Sequence, residues 1–303
     1  MNINIIGVPV FYGCDKKGVN DAPKKLRKHG IKEILKENNE VYDLGDIFIN
    51  ECKEKDKYKS NINAKYLKEI VDISTNLAHS IYLTLKNNNF PITIGGDHSL
   101  SLGSIAGLSK FYKEDLAVIW IDAHGDFNTV ETSPSGNIHG MPLAASAGIG
   151  IEELTNIYFS GPKVKFENIF IICARDLDKE ESELIRKNGV NIWSTEDVKK
   201  LGVNRVILEI MKKINKSNIS NVHISFDVDC LDSEVMPGTG TKVDNGIQLD
   251  EAINMLEYIF EFGLVKSIDF VEFNPLLDKD NITLKNCLKL IEVISILVSK
   301  YVK

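Results

Sequence analysis

Three short segments of this chain carry acid and imidazole side chains where packing alone has no use for them. Asp122, His124 and Asp126 alternate along residues 120–126 as the chain leaves an apolar run. In extended backbone alternate side chains share a face, so all three converge on one point. The segment 222–229 repeats the device, with Ile224, Phe226 and Val228 alternating against Ser225, Asp227 and Asp229. Two carboxylates side by side at a buried strand end resist joint ionisation unless a positive charge lies between them. A divalent cation resolves that conflict. The third segment, 93–99, ends an apolar run in Gly95 and Gly96 and then presents His98 at a predicted helix start.

Any one of these triplets reads equally well as a solvated strand end or turn; together they describe a metal site. The donors are Asp122, Asp126, Asp227 and Asp229 with His98 and His124, an oxygen-rich set without thiolate. Such hardness suits Mn²⁺ better than a structural zinc. Four carboxylates balance two divalent ions, which leaves the pair acidic enough to hold a bridging hydroxide near neutral pH. His29, His79 and His223 fall outside this pattern and are expected to be ordinary surface or core imidazoles.

The elements that must position these residues are legible as apolar, β-branched runs separated by amphipathic stretches. Strands are predicted over 4–8, 40–44, 90–95, 116–122, 168–174, 190–193, 222–229 and 265–273. The clearest helices are 64–85, with Leu67, Ile70, Val71, Ser74, Leu77, Ala78 and Ile81 on one face, then 249–262, and a last one from about 284 onward. This alternation implies an α/β fold of three layers, a mostly parallel sheet of about eight strands covered by helices on both faces. No repeat or low-complexity linker divides the chain, so residues 1–303 are expected to form one domain. The loop 127–137, rich in Thr, Ser, Pro and Gly, follows a strand end of unusual chemistry, and such loops are where open α/β sheets bind ligands. The polar loop 45–61 has no such neighbour.

Composition narrows the function classes. With 36 basic against 43 acidic residues the formal charge is -7, and only four of the basic residues are Arg, which argues against a nucleic-acid footprint. A carboxylate-lined cleft can still draw in a small cation, because local potential outweighs the total. Five scattered cysteines, odd in number and without C-x-x-C spacing, fit neither a disulfide framework nor a thiolate zinc site and predict a reducing, cytoplasmic setting. No apolar run reaches the roughly 18 residues of a membrane span, and no leader pattern opens the chain. The expectation is a soluble, unprocessed protein without membrane or nucleic-acid partners.

The segments GGDHS (95–99), DAHGDFN (122–128), SGNIHG (135–140), SFDVDCLD (225–232) and DFVEFNP (269–275) resemble the arginase branch of the ureohydrolase family. The likeness spans nearly the whole chain and includes the opening stretch from Gly7 and Pro9 to Gly18 and Pro23. It implies the arginase-type α/β fold, two Mn²⁺ ions, and hydrolysis of L-arginine to L-ornithine and urea. One ion would be held by His98, Asp122, Asp126 and Asp227, the other by Asp122, His124, Asp227 and Asp229, so that Asp122 and Asp227 bridge. Glu272 matches the carboxylate that pairs with the guanidinium, His139 the proton shuttle, and Asp126 joins them as a catalytic group.

Asn128, Ser133, Ser135 and Asn137 match the neutral donors for the substrate carboxylate, Asp178 and Glu181 the acids near its amine, and Thr241 a residue beside the guanidinium. Agmatine lacks the carboxylate, and agmatinases typically lack the SGN run, so this loop separates the arginine reading from its nearest rival. A second rival is an inactive metal-binding homologue. The resemblance also implies a homotrimer or a hexamer of two trimers. Cys230 departs from the family's usual Gly or Ala, and Lys242, Asp244 and Asn245 from a more apolar, glycine-rich run.

Overall fold

In the computed structural model, which describes residues 1–302, eight strands form one sheet in which every pairing is parallel. They are β1 (Asn2–Val8), β2 (Glu40–Asp46), β3 (Phe90–Gly95), β4 (Ala117–Ile121), β5 (Ile169–Ala174), β6 (Asn191–Ser194), β7 (Val222–Asp227) and β8 (Val265–Val271). All eight predicted runs are present. The spatial order is β2-β1-β3-β8-β7-β4-β5-β6. Between β3 and β4 the chain leaves two places that β7 and β8 later fill. The four central neighbours β3, β8, β7 and β4 therefore end side by side, within about 15 Å at the usual strand spacing. The three segments singled out in the sequence leave β3, β4 and β7.

Alternation along the strands divides the core. Ile3 and Ile5 of β1, Ile119 and Ile121 of β4, and Ile224 and Phe226 of β7 face one layer of helices. That layer includes Val203–Lys216, Leu249–Glu261 and Ile282–Tyr301. Ile6 and Val8 point the other way, toward α1 (Leu67–Lys86) and α2 (Ser101–Tyr112). These two helices touch closely, since a Cβ on Gly103 would lie 2.6 Å from the Ser74 carbonyl oxygen.

The first predicted helix starts later than the periodicity suggests, at Leu67 rather than 64. Tyr66 sits at φ 51, a left-handed conformation that breaks the helix. Its buried face holds Ile73, while Val71 is only partly buried. Among the described residues no helix is long and apolar enough to cross a membrane.

Candidate metal centre and active site

At the carboxyl end of β3 the chain must turn sharply, and Gly96 permits it: a Cβ there would lie 2.2 Å from the Val10 carbonyl oxygen. Asp97 then caps the turn His98–Leu100 that opens α2, accepting from the Ser99 N–H at 3.0 Å and from the Gly13 and Cys14 N–H groups. His98 is fully buried. Its ring stacks on Trp120 at 3.9 Å between centroids, and its Nε2 lies 2.8 Å from Ser225 Oγ. An Nε2–H donated to that oxygen leaves the Nδ1 lone pair pointing into the site.

Nδ1 of His98 lies 3.0 Å from Asp122, 3.1 Å from Asp126 and 3.1 Å from Asp227, in each case measured to Oδ2. None of these oxygens lies in line for a hydrogen bond, so a buried nitrogen remains without a partner among three carboxylates. Beside it, His124 Nδ1 is 3.2 Å from Asp122 Oδ1 and 3.3 Å from Asp229 Oδ2. Two groups thus have ligand spacing, His98 with Asp122 and Asp227, and Asp122 with His124 and Asp229. Asp122 belongs to both. Asp227 joins only the first in this geometry, and Asp126 adjoins the first through His98.

The convergence does not come from extended backbone, contrary to the expectation. β4 ends at Ile121, Asp126 takes φ 47, and Val228–Cys230 is a 3-10 turn. Ligands beyond the first of each segment arrive by turning. Asp122 and Asp227 stabilise these turns by accepting the N–H groups of His124 (2.7 Å) and Asp229 (2.8 Å).

The electrostatics fit a cation. Burial and the Asp122 charge push Asp126 up to about 6, and burial with Asp229 and Asp122 raises Asp227. Burial likewise raises Asp229, against the pull of His124. Asp122 moves the other way: burial opposes its charge, but His124 and His98 hold it below the usual carboxylate range. Burial disfavours charge on both imidazoles, yet the surrounding carboxylates raise the pKa of each. Three buried acids and two histidines drawn toward protonation, around a fourth acid that the histidines keep charged, describe a pocket short of positive charge.

Beyond the ligands opens a cavity of about 140 Å³, lined among others by Asn128, Ser133, Ser135, Asn137, His139, Asp178 and Thr241. Glu181 and Asp126 also reach its wall. Glu272 does not, but stands one layer behind, 2 % exposed and at φ 66. Its Oε1 accepts from the His98 N–H at 2.9 Å and lies 3.1 Å from His139 Nδ1. Burial lowers the His139 pKa, but Glu272 outweighs it and brings the ring up to about 9. Thr241 donates to Asp229 Oδ2 at 3.0 Å. Asn128 donates to Asp178 at 2.9 Å, and Glu181 accepts from the Phe127 N–H at 2.8 Å and the Asp178 N–H at 3.2 Å. Ser133 and Ser135 accept from the N–H groups of Gly136 and Asn137, which folds their loop.

Several supporting residues escaped the sequence reading. Asp97 has no place in the alternation, while Trp120 and Ser225 fall in phase with the acids that follow them but are not metal donors and so were given no role. Arg175 is the largest omission. Its guanidinium donates to the carbonyls of Asp229, Cys230, Leu231, Val243 and Asp244, clasping the ligand turn to the loop bearing Thr241. Cys230 is fully buried in that clasp, and Asp244 contributes its carbonyl, so both departures serve the turn by backbone. His223 is, as expected, a satisfied core imidazole, 2.8 Å from Ser267 Oγ and 3.2 Å from Asp269 Oδ2.

A parallel sheet with acids and imidazoles gathered at its central carboxyl edge defines a class of α/β metal-centre proteins. The family model for the arginase family matches residues 1–296. Arginase of Brevibacillus brevis is 44% identical over 93% of both chains, and arginase of Bacillus subtilis (strain 168) 41% identical over 96% of both. The crystal structure of arginase from Bacillus cereus superposes with a TM-score of 0.90 at 38% identity, covering 97% of this chain and 98% of its own. The chain belongs to the arginase family.

Proposed function

We propose that this protein hydrolyses L-arginine to L-ornithine and urea at a centre of two divalent cations, manganese being the ion that the hard donor set favours. The observation carrying this reading is the unpartnered His98 Nδ1 among three carboxylates, beside a cavity lined by hydroxyl and amide donors. His98, Asp122, Asp126 and Asp227 would hold one ion and Asp122, His124 and Asp229 the other, with Asp227 reaching both as the family pattern implies. Such ions supply the Lewis acidity that makes water nucleophilic near neutral pH.

The chain's own residues do the rest. A guanidinium is a poor electrophile because its charge is delocalised, so its carbon must be held in one plane. The family pattern gives this role to Glu272, which would have to reach the substrate from behind the cavity wall through Oε2, since Oε1 is held by the His98 N–H and faces His139. His139, kept cationic by Glu272, holds a proton at its ring nitrogen and delivers it to the departing amine. Asp126, on the cavity wall, takes the proton that the attacking water loses. Asn128, Ser133, Ser135 and Asn137 receive the substrate carboxylate, while Asp178, with Glu181 fixing its backbone, receives the amine.

The protein assembles as a homotrimer or a hexamer of two trimers in this reading, which light scattering of the metal-loaded protein tests. Asp227→Ala tests the centre itself. It should lose bound metal, measured by elemental analysis, together with urea release, by more than the roughly 10–100-fold typical of losing an outer-shell partner. Full turnover with metal in excess would remove Asp227 from the site.

A further inference from the structure

We propose that Lys65 is a positioning residue for substrate choice, one that fixes which way the Asn137 side-chain amide faces. Its side chain is 13% exposed and stands behind Asn137 of the cavity wall, and its ammonium donates to Asn137 Oδ1 at 2.8 Å. On its other side it pairs with Asp15 at 3.1 Å, a carboxylate it shares with Lys57 at 2.8 Å. Asn137 Nδ2 in turn donates to the Cys14 carbonyl at 3.1 Å. The two loops are also joined by backbone, since the Lys65 N–H donates to the Gly136 carbonyl at 2.9 Å.

The chemistry of the partners dictates the polarity. An ammonium has three donors and no acceptor, so Asn137 must turn its oxygen toward Lys65. The Cys14 carbonyl has no donor, so it must receive the amide nitrogen. One amide hydrogen is left over, on a residue that lines the cavity. A carboxylate needs such a donor; a substrate without one gains nothing from it.

The inference rests on the arginine reading above and adds what selects the carboxylate-bearing substrate. The test compares the metal-loaded wild-type enzyme with K65Q, K65M and K65R, using arginine and agmatine, the latter as substrate or as competitive inhibitor. Glutamine can donate or accept, so K65Q keeps a hydrogen-bonding side chain but removes the pure donor, leaving the Cys14 carbonyl as the one group that holds the amide orientation. K65Q and K65M should lower the preference for arginine over agmatine about 10-fold, the scale of one charge-assisted hydrogen bond, with the change carried by the KM for arginine rather than by kcat. K65R, still a pure donor, should restore it.

Should K65M fail to fold, as judged by circular dichroism and bound metal, K65Q and K65R carry the comparison alone. A wild-type preference for arginine that survives unchanged in K65Q overturns the role of Lys65. A loss shared equally by arginine and agmatine overturns it as well, because it marks a general structural role. A wild-type enzyme that prefers agmatine would instead overturn the arginine reading on which the inference rests.

Discussion

The His139–Glu272 contact is the residue-scale feature with the clearest chemical consequence. His139 sits at about 9 because the Glu272 carboxylate faces its Nδ1 at 3.1 Å, against the opposing effect of burial. Glu272→Gln should bring the ring back toward its ordinary value, read by NMR titration of the metal-free protein, and should lower turnover about 100-fold or more while metal remains bound. The sign for stability follows from the raised folded pKa. The pair contributes fully below about 6.5, the unfolded value, and its contribution is lost as pH rises through about 9. An unchanged titration would show that another group holds the proton. At this scale the sequence was informative because ligands are rare residue types at short spacings: His98, Asp122, His124, Asp126, Asp227 and Asp229 do gather at one place. The roles of Trp120 and Ser225 were not legible, although Ser225 shares the face of Asp227 and Asp229, because a stacked ring and a buried hydroxyl take their meaning from a neighbour that only the fold supplies.

Among the elements, the short helix α3 (Lys179–Lys187) shows how a cap can serve a site. Asp178 and Glu181 form its capping box, and the same Glu181 reaches back to the Phe127 N–H, just beyond the candidate ligand Asp126. Burial, the larger cause, and the nearby Asp126 charge push Glu181 up to about 8. Glu181→Ala strands two N–H groups and should cost about 1–3 kcal/mol in denaturant unfolding, with a raised KM for arginine. No loss of stability would mean that water replaces the carboxylate at both donors. The central strands were legible because they are apolar, β-branched runs, whereas the edge strands β2 and β6 have fewer such residues and are more exposed. The turns after β4 and β7 were not: extrapolating extended geometry to Asp126 and Asp229 misses the φ of 47 and the 3-10 turn, which depend on carboxylates accepting backbone N–H groups. The start of α1 slipped for a related reason, the left-handed Tyr66 whose N–H goes to the Lys57 carbonyl.

The order of the sheet is a property of the whole molecule, and local patterns do not carry it. Filling the places between β3 and β4 with β7 and β8 brings together candidate ligands that are more than a hundred residues apart in sequence, such as His98 and Asp227. Gathering them concentrates negative charge, with a consequence for stability. Without metal, Asp126, Asp227 and Asp229 have folded pKa values raised above their unfolded ones, so their stabilising effect is greatest at low pH and fades as pH rises. His98 and His124 are raised too, and their contribution is also lost as pH rises. Asp122, lowered, changes little above pH 5. The terms of the metal centre that vary between pH 5 and 8 share one sign, and Lys163, brought down to about 8 by burial, opposes them only near the upper end of that range. The melting temperature of the metal-free protein should therefore fall across that range, and added Mn²⁺ should raise it more at pH 8 than at pH 5. Equal metal stabilisation at both values would contradict this electrostatic account.

The most direct measurement is urea release from L-arginine and, separately, from agmatine, by protein incubated with Mn²⁺ and freed of excess metal. The account predicts release from both or from arginine alone, with arginine preferred, because the donors at Asn128, Ser133, Ser135 and Asn137 have a carboxylate to hold. Preference for agmatine would keep the metal chemistry and contradict the role given to that loop; no urea from either substrate would contradict the hydrolytic function itself.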